Sequence, residues 1–290
     1  MNILQLHKLN KRQIKDTVDL VQKCLKEDGL ERTLYLDNDI NFHVNLDSFY
    51  LIYDGRRMVS VLTIFEPLAD EAEITAYTLP SERRKGFFKV LFNKALKELI
   101  RFEVYRILFV AEPKSVNGLA ALKACKTKYF KSEYLLSFQF NEDVIKELEP
   151  GIILKEILRD KQNEAAALSS EIFCTDIEET KDVIEISMNS KYMKCFGAYI
   201  EDGLIGICNI SYGADQASIF GFGIAPAFQG NGYGRLFLDQ AMNIIYKKGI
   251  KSITLHVGSG NKRAFNLYTS IGFTIQTQYD YYEYIIPVRE

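Results

Sequence analysis

Residues 220–249, "FGFGIAPAFQGNGYGRLFLDQAMNIIYKKG", carry three glycines, Gly230, Gly232 and Gly234, at alternating positions between an apolar run and a helical pattern. The run "ASIFGFGIA" (217–225) reads as a buried strand. After the glycines, Leu236, Phe237, Ala241, Ile244 and Ile245 recur at helical spacing, and Lys247, Lys248 and Gly249 supply a C-terminal stop. A helix start leaves its first N–H groups unpaired and carries partial positive charge, so it suits an anion. Glycines there remove Cβ atoms that would hold a phosphate away, and they permit the backbone angles of a cupped loop. A bare tight connection is the competing reading of the same turn. The spacing is not the G-x-G-x-x-G of a dinucleotide fold, and Arg235-Leu236 stands where a P-loop needs Lys-Ser or Lys-Thr.

Working outward, "KSITLHV" (251–257) reads as a further strand and "NKRAFNLYTSIGF" (261–273) as a short helix ended by Gly272. The first half repeats this order. "AEITAYTLP" (72–80) reads as a strand, residues 81–101 as a turn into a helix, "VYRILFV" (104–110) as a strand and "NGLAALKACKTKYF" (117–130) as a short helix. Gly86 and Gly232 stand 146 residues apart, and Asn117 and Asn261 stand 144 apart, which is the signature of an internal duplication. Each half opens with a strand-like run, "NILQLHKL" and "GIILKEIL", followed by helical stretches around 11–27 and 160–190. Each then shows a hairpin, predicted to turn at Asp54-Gly55 and at Asp202-Gly203. Pro and Gly at Glu149-Pro150-Gly151 mark the boundary, giving domains 1–149 and 150–290.

Composition narrows the class of partner. With 290 residues, 47% hydrophobic and 26% charged, the chain has enough apolar material for two cores. A net charge of −2 offers no basic field for nucleic acid or an anionic membrane, so neither is expected as partner. Cys24, Cys125, Cys174, Cys195 and Cys208 form no C-x-x-C pair, so neither a disulfide framework nor a metal site is indicated. The opening stretch lacks the continuous apolar segment of a signal peptide, and a cytoplasmic location is the expectation.

Gln229-Gly230-Asn231-Gly232-Tyr233-Gly234 resembles the Q/R-x-x-G-x-G/A signature of the GNAT superfamily of N-acetyltransferases. Ile224-Ala225-Pro226 looks like the end of that family's fourth strand, and "NKRAFNLYTSIGF" looks like its N-x-x-A-x-x-L-Y-x-x-x-G-F segment. The resemblance covers roughly residues 152–290. It implies an α+β (mixed α/β) fold of two tandem GNAT-like domains, each a mixed, mostly antiparallel sheet flanked by helices. It implies acetyl-coenzyme A as co-substrate and a small-molecule or peptide amine as acceptor. Carried onto this sequence, backbone groups at Ile224 and Ala225 would hold the pantetheine arm. The amides of Gln229, Gly230, Asn231, Gly232, Tyr233, Gly234 and Arg235 would cradle the pyrophosphate. Asn261 would contact the cofactor, and Tyr268 would serve as general acid for the leaving thiolate. At helical spacing from Ala264, Leu267 and Ile271, Tyr268 also reads as a packed aromatic.

Two departures bear on function. GNAT enzymes often take a base from a glutamate on the fourth strand, but "QASIFGFGIA" holds no acid. His256 is the first candidate base, with Glu283 a weaker one and Glu73 relevant only if the halves communicate. A non-catalytic coenzyme A-binding or regulatory module is the alternative this gap supports. The acids clustered over 176–185 read either as a lure for a cationic amine or as an ordinary helix start. In the first half, Arg83-Arg84-Lys85-Gly86-Phe87-Phe88 places Phe88 where a small residue belongs, Ala124 stands at the place of Tyr268, and coenzyme A is expected to bind poorly there.

Overall fold

The computed structural model describes residues 1–36, 38, 41–140 and 151–287. The chain divides into two compact units, Met1–Ser132 with Thr277–Glu290, and Glu133–Gln276. The first unit contains β1 (Asn2–Leu6), α1 (Lys11–Asp28), β2 (Phe49–Asp54), β3 (Arg57–Phe65), β4 (Glu71–Thr78), α2 (Phe87–Arg101), β5 (Arg106–Ala111) and α3 (Val116–Ala124). From β6 (Lys128–Gln139) the chain enters the second unit. There follow β7 (Ile153–Glu156), α4 (Gln162–Phe173), α5 (Ile177–Asn189), β8 (Met193–Ile200), β9 (Gly203–Tyr212), β10 (Gln216–Ile224), α6 (Tyr233–Lys247), β11 (Ser252–Gly258) and α7 (Lys262–Ile271). The last strand is β12 (Thr274–Ile285).

Both sheets are mixed and mostly antiparallel. In the first unit β1 to β4 pair antiparallel in order, β4 and β5 pair parallel, and β5 pairs antiparallel with β12 from Asp280↔Ala111 to Ile285↔Arg106. In the second, β7 to β10 pair antiparallel, β10 and β11 pair parallel, and β11 pairs antiparallel with β6 from Ser252↔Gln139 to Gly258↔Glu133. Each unit therefore takes its last strand from the other half of the chain. The division expected at residues 149 and 150 differs from these units by that exchange, and residues 141–150 themselves lie outside the described residues.

Local chemistry accounts for the elements. Asn10 and Gln13 close a reciprocal capping box at the start of α1, each accepting the other's backbone N–H at 2.9 Å, and Gly29 ends the helix with φ +63°. In α6 the buried face is Phe237, Leu238, Ala241, Met242 and Ile245, packed in one core with Ile219, Ile253 and Leu255 of the sheet. A second core on the opposite side joins Ala165 and Ala166 of α4 and Ile184 of α5 to Cys195, Tyr199 and Ile207. The hairpins close on Asp54↔Arg57 and Ile200↔Gly203, so the turning pairs are Gly55-Arg56 and Glu201-Asp202. The first of each pair takes positive φ, +59° at Gly55 and +51° at Glu201, which is why both turns lie one residue from the predicted dipeptides. No helix among the described residues is long and apolar enough to cross a membrane.

Candidate active site

The glycine loop is set by its neighbours. After β10, Pro226 opens a short 3-10 turn, and the side chain of Gln229 donates back to the Ile224 carbonyl at 2.8 Å. Arg263 of α7 in turn donates to Gln229 Oε1 at 2.6 Å. Gly230 and Gly232 lie in the left-handed region, at φ +85° and +83°, and a Cβ on Gly232 would meet nothing within 4 Å. Backbone angle, together with open space outside it, is thus what glycine provides there. Gly234 is different, for its missing Cβ would sit 3.6 Å from Leu267.

Two of the amides expected in the cradle are engaged elsewhere. Gln229 N–H donates to Pro226 at 3.3 Å, and Arg235 N–H donates to Gly232 at 3.0 Å. Among the described residues, the amides of 230–234 donate to no backbone carbonyl, and they converge at the positive end of α6. The Arg235 guanidinium reaches Ser270 at 3.2 Å, and Asn261 spends its side chain as cap of α7, accepting Ala264 N–H at 3.1 Å. Asn261 Oδ1 therefore sets the start of α7.

Beside the loop the sheet opens. The parallel register of β10 and β11 ends at Ile219↔Leu255, although β10 continues to Ile224 and β11 to Gly258. A β-bulge between Phe220 and Gly223, with Gly221 at φ +55°, bends β10 at this point. Ala225 N–H donates to Ile205 on the β9 side at 2.8 Å. Backbone groups alternate along a strand, so those of Phe222 and Ile224 face the fork. The Ile224 carbonyl is the one already taken by Gln229.

The titratable candidates lie on both sides of the fork. Tyr268 is buried on α7 against Phe222 and Phe273, with ring centroids at 6.2 and 6.0 Å. Burial, with a smaller contribution from Cys208, pushes its phenol up to about 12. Ile253, Leu255 and Val257 share the core of α6 and α7, so His256 projects from the other face, the α4/α5 side. Its side chain is 40% exposed, with Nδ1 3.5 Å from the Glu133 carboxylate. Glu133, opposite Gly258 on β6, had no sequence signal, because its place comes from a strand pairing across more than a hundred residues. Glu283 belongs to the first unit and is bound by Arg106 at 2.8 Å, and Glu73 is bound by Arg32 at 3.0 Å. Asp176 acts as helix cap, its Oδ1 accepting Glu178 N–H at 2.8 Å.

The first unit builds the same loop with different side chains. Arg83 donates to the Thr78 carbonyl at 3.1 Å, as Gln229 does to Ile224, and Arg84 and Gly86 take φ +67° and +83°. Phe88 stands at the place of Gly234 and stacks on Phe92 with centroids 5.8 Å apart. The correspondence read from Asn117 and Ala124 is corrected by the helix caps. Ser115 is the N-cap of α3 as Asn261 is of α7, and Thr127 N–H closes on Leu122 as Phe273 N–H closes on Tyr268. The partner of Tyr268 is therefore the buried Leu122, and the 146-residue offset holds through both helices.

A model of the acetyltransferase (GNAT) family matches residues 161–273. Over 95 residues the chain is 32% identical to the ribosomal protein bS18-alanine N-acetyltransferase of Haemophilus ducreyi, a match covering 32% of this chain and 61% of that protein. Over 66 residues it is 39% identical to the mycothiol acetyltransferase of Renibacterium salmoninarum, covering 22% of this chain and 20% of that one. The chain thus spans about three fifths or less of these relatives' length. Among solved structures, a GCN5-related N-acetyltransferase from Sphaerobacter thermophilus superposes with a TM-score of 0.76 at 13% identity, over 99% of this chain and 97% of that one. A tandem GNAT protein from the clavulanic acid biosynthesis pathway does so at 0.71 and 14%, over the whole of both chains. These two share the fold.

Proposed function

We propose that this chain, whose residues 161–273 form a domain of the acetyltransferase (GNAT) family, transfers an acetyl group from acetyl-coenzyme A to a primary amine in its second unit. The observation that carries the reading is one juxtaposition. Amides of 230–234 without backbone acceptors stand at the head of α6, next to a fork between β10 and β11 faced by the backbone of Phe222 and the N–H of Ile224. Those amides suit a diphosphate, and the fork's backbone groups suit the amides of an extended arm. Bound there, acetyl-coenzyme A supplies an activated thioester. The chain's own part is to orient it, to stabilise charge on the carbonyl through a backbone N–H at the bulge, and to manage two protons.

In this reading His256, whose Nδ1 lies 3.5 Å from the Glu133 carboxylate, accepts the proton of an amine arriving on the α4/α5 side. Tyr268, on the α6/α7 side, stays protonated at neutral pH and donates to the departing sulfur. The acceptor is a small-molecule or peptide amine. The names of the sequence relatives favour including a peptide with N-terminal alanine among the first amines tried.

The test is calorimetry of the purified chain with acetyl-coenzyme A, followed by thiol release with an alanine-initiated hexapeptide, tyramine and glucosamine. Binding with turnover of an amine supports the reading. Binding without turnover of any amine would favour the coenzyme A-binding or regulatory module, and no binding would end both.

A further inference from the structure

His256 stands between two apolar side chains that none of the cores takes in. Phe220 pairs with Asn209, which lies opposite Cys195 of the α4/α5 core, so Phe220 is on the α4/α5 side of the sheet. It is also the residue directly after the last β10/β11 pair, Ile219↔Leu255. On β6, Leu135 lies directly opposite His256. Phe220 and Leu135 thus flank His256 on the same face, one on each neighbouring strand. Both are half-buried, and neither packs against a core among the described residues. The row before them on that face is polar, with Ser211, Ser218, Thr254 and Ser137 in register across β9, β10, β11 and β6. The change to apolar residues therefore comes at the fork itself.

The end of α4 supplies a wall to this floor. Ile172 and Phe173 close on Gly223, where a Cβ would stand 2.4 Å from Ile172 Cγ2 and 3.2 Å from the tip of the Phe173 ring. Gly223 pairs with Ile207 of the α4/α5 core, so this contact is on the same face as His256. Glycine there lets α4 approach the bulged strand, and Phe173 is left 39% exposed beside it. In the first unit the corresponding row is Thr75, Val110 and Tyr281, all of them buried, with Arg32 donating to Thr75 at 3.3 Å. An uncovered apolar row beside the fork thus belongs to the second unit.

From this arrangement we infer that the acceptor is a primary amine carrying an aromatic ring a short chain away from its nitrogen. The ring packs on Phe220 and Leu135 with Phe173 at its side, and the nitrogen lies at His256. Small-molecule sites are mostly apolar with a few placed polar groups, and aromatic rings gain from meeting one another beyond the area they bury. An amino sugar would instead set its hydroxyls against apolar side chains and lose their hydrogen bonds to water. This assignment rests on the acetyl-transfer reading above. It makes Phe220, Leu135 and Phe173 specificity residues whose loss acts on the amine and not on acetyl-coenzyme A.

Thiol release by the full chain with tyramine and with glucosamine tests this. Wild type is expected to show a kcat/KM at least about tenfold higher for tyramine. Phe220→Thr, which installs the residue of the first unit, and Phe173→Ser should each raise the KM for tyramine about tenfold, with kcat within about threefold and acetyl-coenzyme A affinity unchanged. Should F220T fail to fold, F173S, at an exposed helix end, carries the same comparison. Equal use of glucosamine and tyramine by wild type, or turnover of the alanine-initiated hexapeptide without turnover of tyramine, would overturn the assignment. So would a tyramine KM within about twofold of wild type in the folded variants. Each of these leaves the proposed function standing. If wild type turns over none of the three amines, the proposed function falls first and this assignment with it.

Discussion

Both units make a fork at the end of their parallel strand pair, and they treat it in opposite ways. In the first, pairing of β4 and β5 stops at Ile74↔Phe109, and a segment of the same unit fills the opening. Glu112, just past β5, accepts the N–H groups of Glu31 and Arg32 at 2.6 and 2.8 Å. Arg32 then pairs with Glu73, donates to Thr75 at 3.3 Å and lies over the Tyr279 ring, while Tyr77 donates to its carbonyl. In the second unit the counterparts of Tyr77 and Glu112 at the 146-residue offset are Gly223 and Gly258, and β10 carries a bulge that β4 lacks. One backbone plan thus becomes a satisfied core in one copy and an exposed set of donors in the other. Ligand capacity is read from what is left unfilled, not from the fold.

The largest effect that can break this comparison is at Arg32. Its side chain is 11% exposed and paired with Glu73, donates to Thr75 and lies over the Tyr279 ring, and removing one member of a buried pair is strongly destabilising. Arg32→Ala is expected to cost about 3–5 kcal/mol, read by denaturant unfolding. Turnover in the second unit should survive under conditions where the variant stays folded. If calorimetry instead found a second acetyl-coenzyme A per chain in R32A, the strap would be a plug over a working site, and the contrast between the units would be one of access alone.

Next in size is the contrast of Tyr268 with Leu122. Tyr268→Phe keeps the packing against Phe222 and Phe273 and removes one proton donor, so kcat should fall about 10²-fold with little change in acetyl-coenzyme A affinity. Because burial holds the phenol protonated up to about 12, the neutral-range limbs of the pH–rate profile should not move in the variant. A shifted limb would mean that Tyr268 titrates in that range and is not simply a donor. The Leu122 unit, which has no hydroxyl at this place, is expected to add no activity.

What the sequence makes legible follows from range. The glycine turn, the helix after it and the Asn261 cap are local, set by residues within a few positions of one another, so motif and periodicity reach them. The strand exchange is not local. β6 and β12 carry ordinary strand composition, and nothing in "KYFKSEYLLSFQ" says that its partner is β11 rather than its own half's β5. Glu133 and the Arg32 strap depend on such long-range placement and left no pattern to find. The Asn117 correspondence misled for a local reason: identity of residue type outweighed position, whereas the helix caps fix the alignment at Ser115 and Asn261.

A smaller effect tests the loops alone. Gly86 and Gly232 share φ +83°, so alanine at either should cost about 1–2 kcal/mol of stability through left-handed strain. Only G232A should weaken acetyl-coenzyme A binding, by about tenfold or 1.4 kcal/mol, since its Cβ enters the open space before the free amides. Equal losses of affinity in G86A and G232A would show that both loops bind, against the contrast drawn above.

The smallest effect concerns the one loop position where the first unit tolerates strain that the second avoids. Arg84 holds φ +67° where its counterpart Gly230 holds +85°. Arg84→Gly removes a left-handed penalty of about 1–2 kcal/mol but gives the unfolded chain more freedom, worth about 0.4–1 kcal/mol in the other direction. A net gain of about 0–1.6 kcal/mol in thermal denaturation is expected. The variant would then match the second unit at both left-handed positions of the loop, yet Phe88 would still stand where the second unit has Gly234 and Arg32 would still hold the fork. Acetyl-coenzyme A should therefore remain at one per chain by calorimetry. A second binding event in R84G would mean that loop backbone alone makes the site, and that neither the aromatic at 88 nor the strap at 32 distinguishes the two copies.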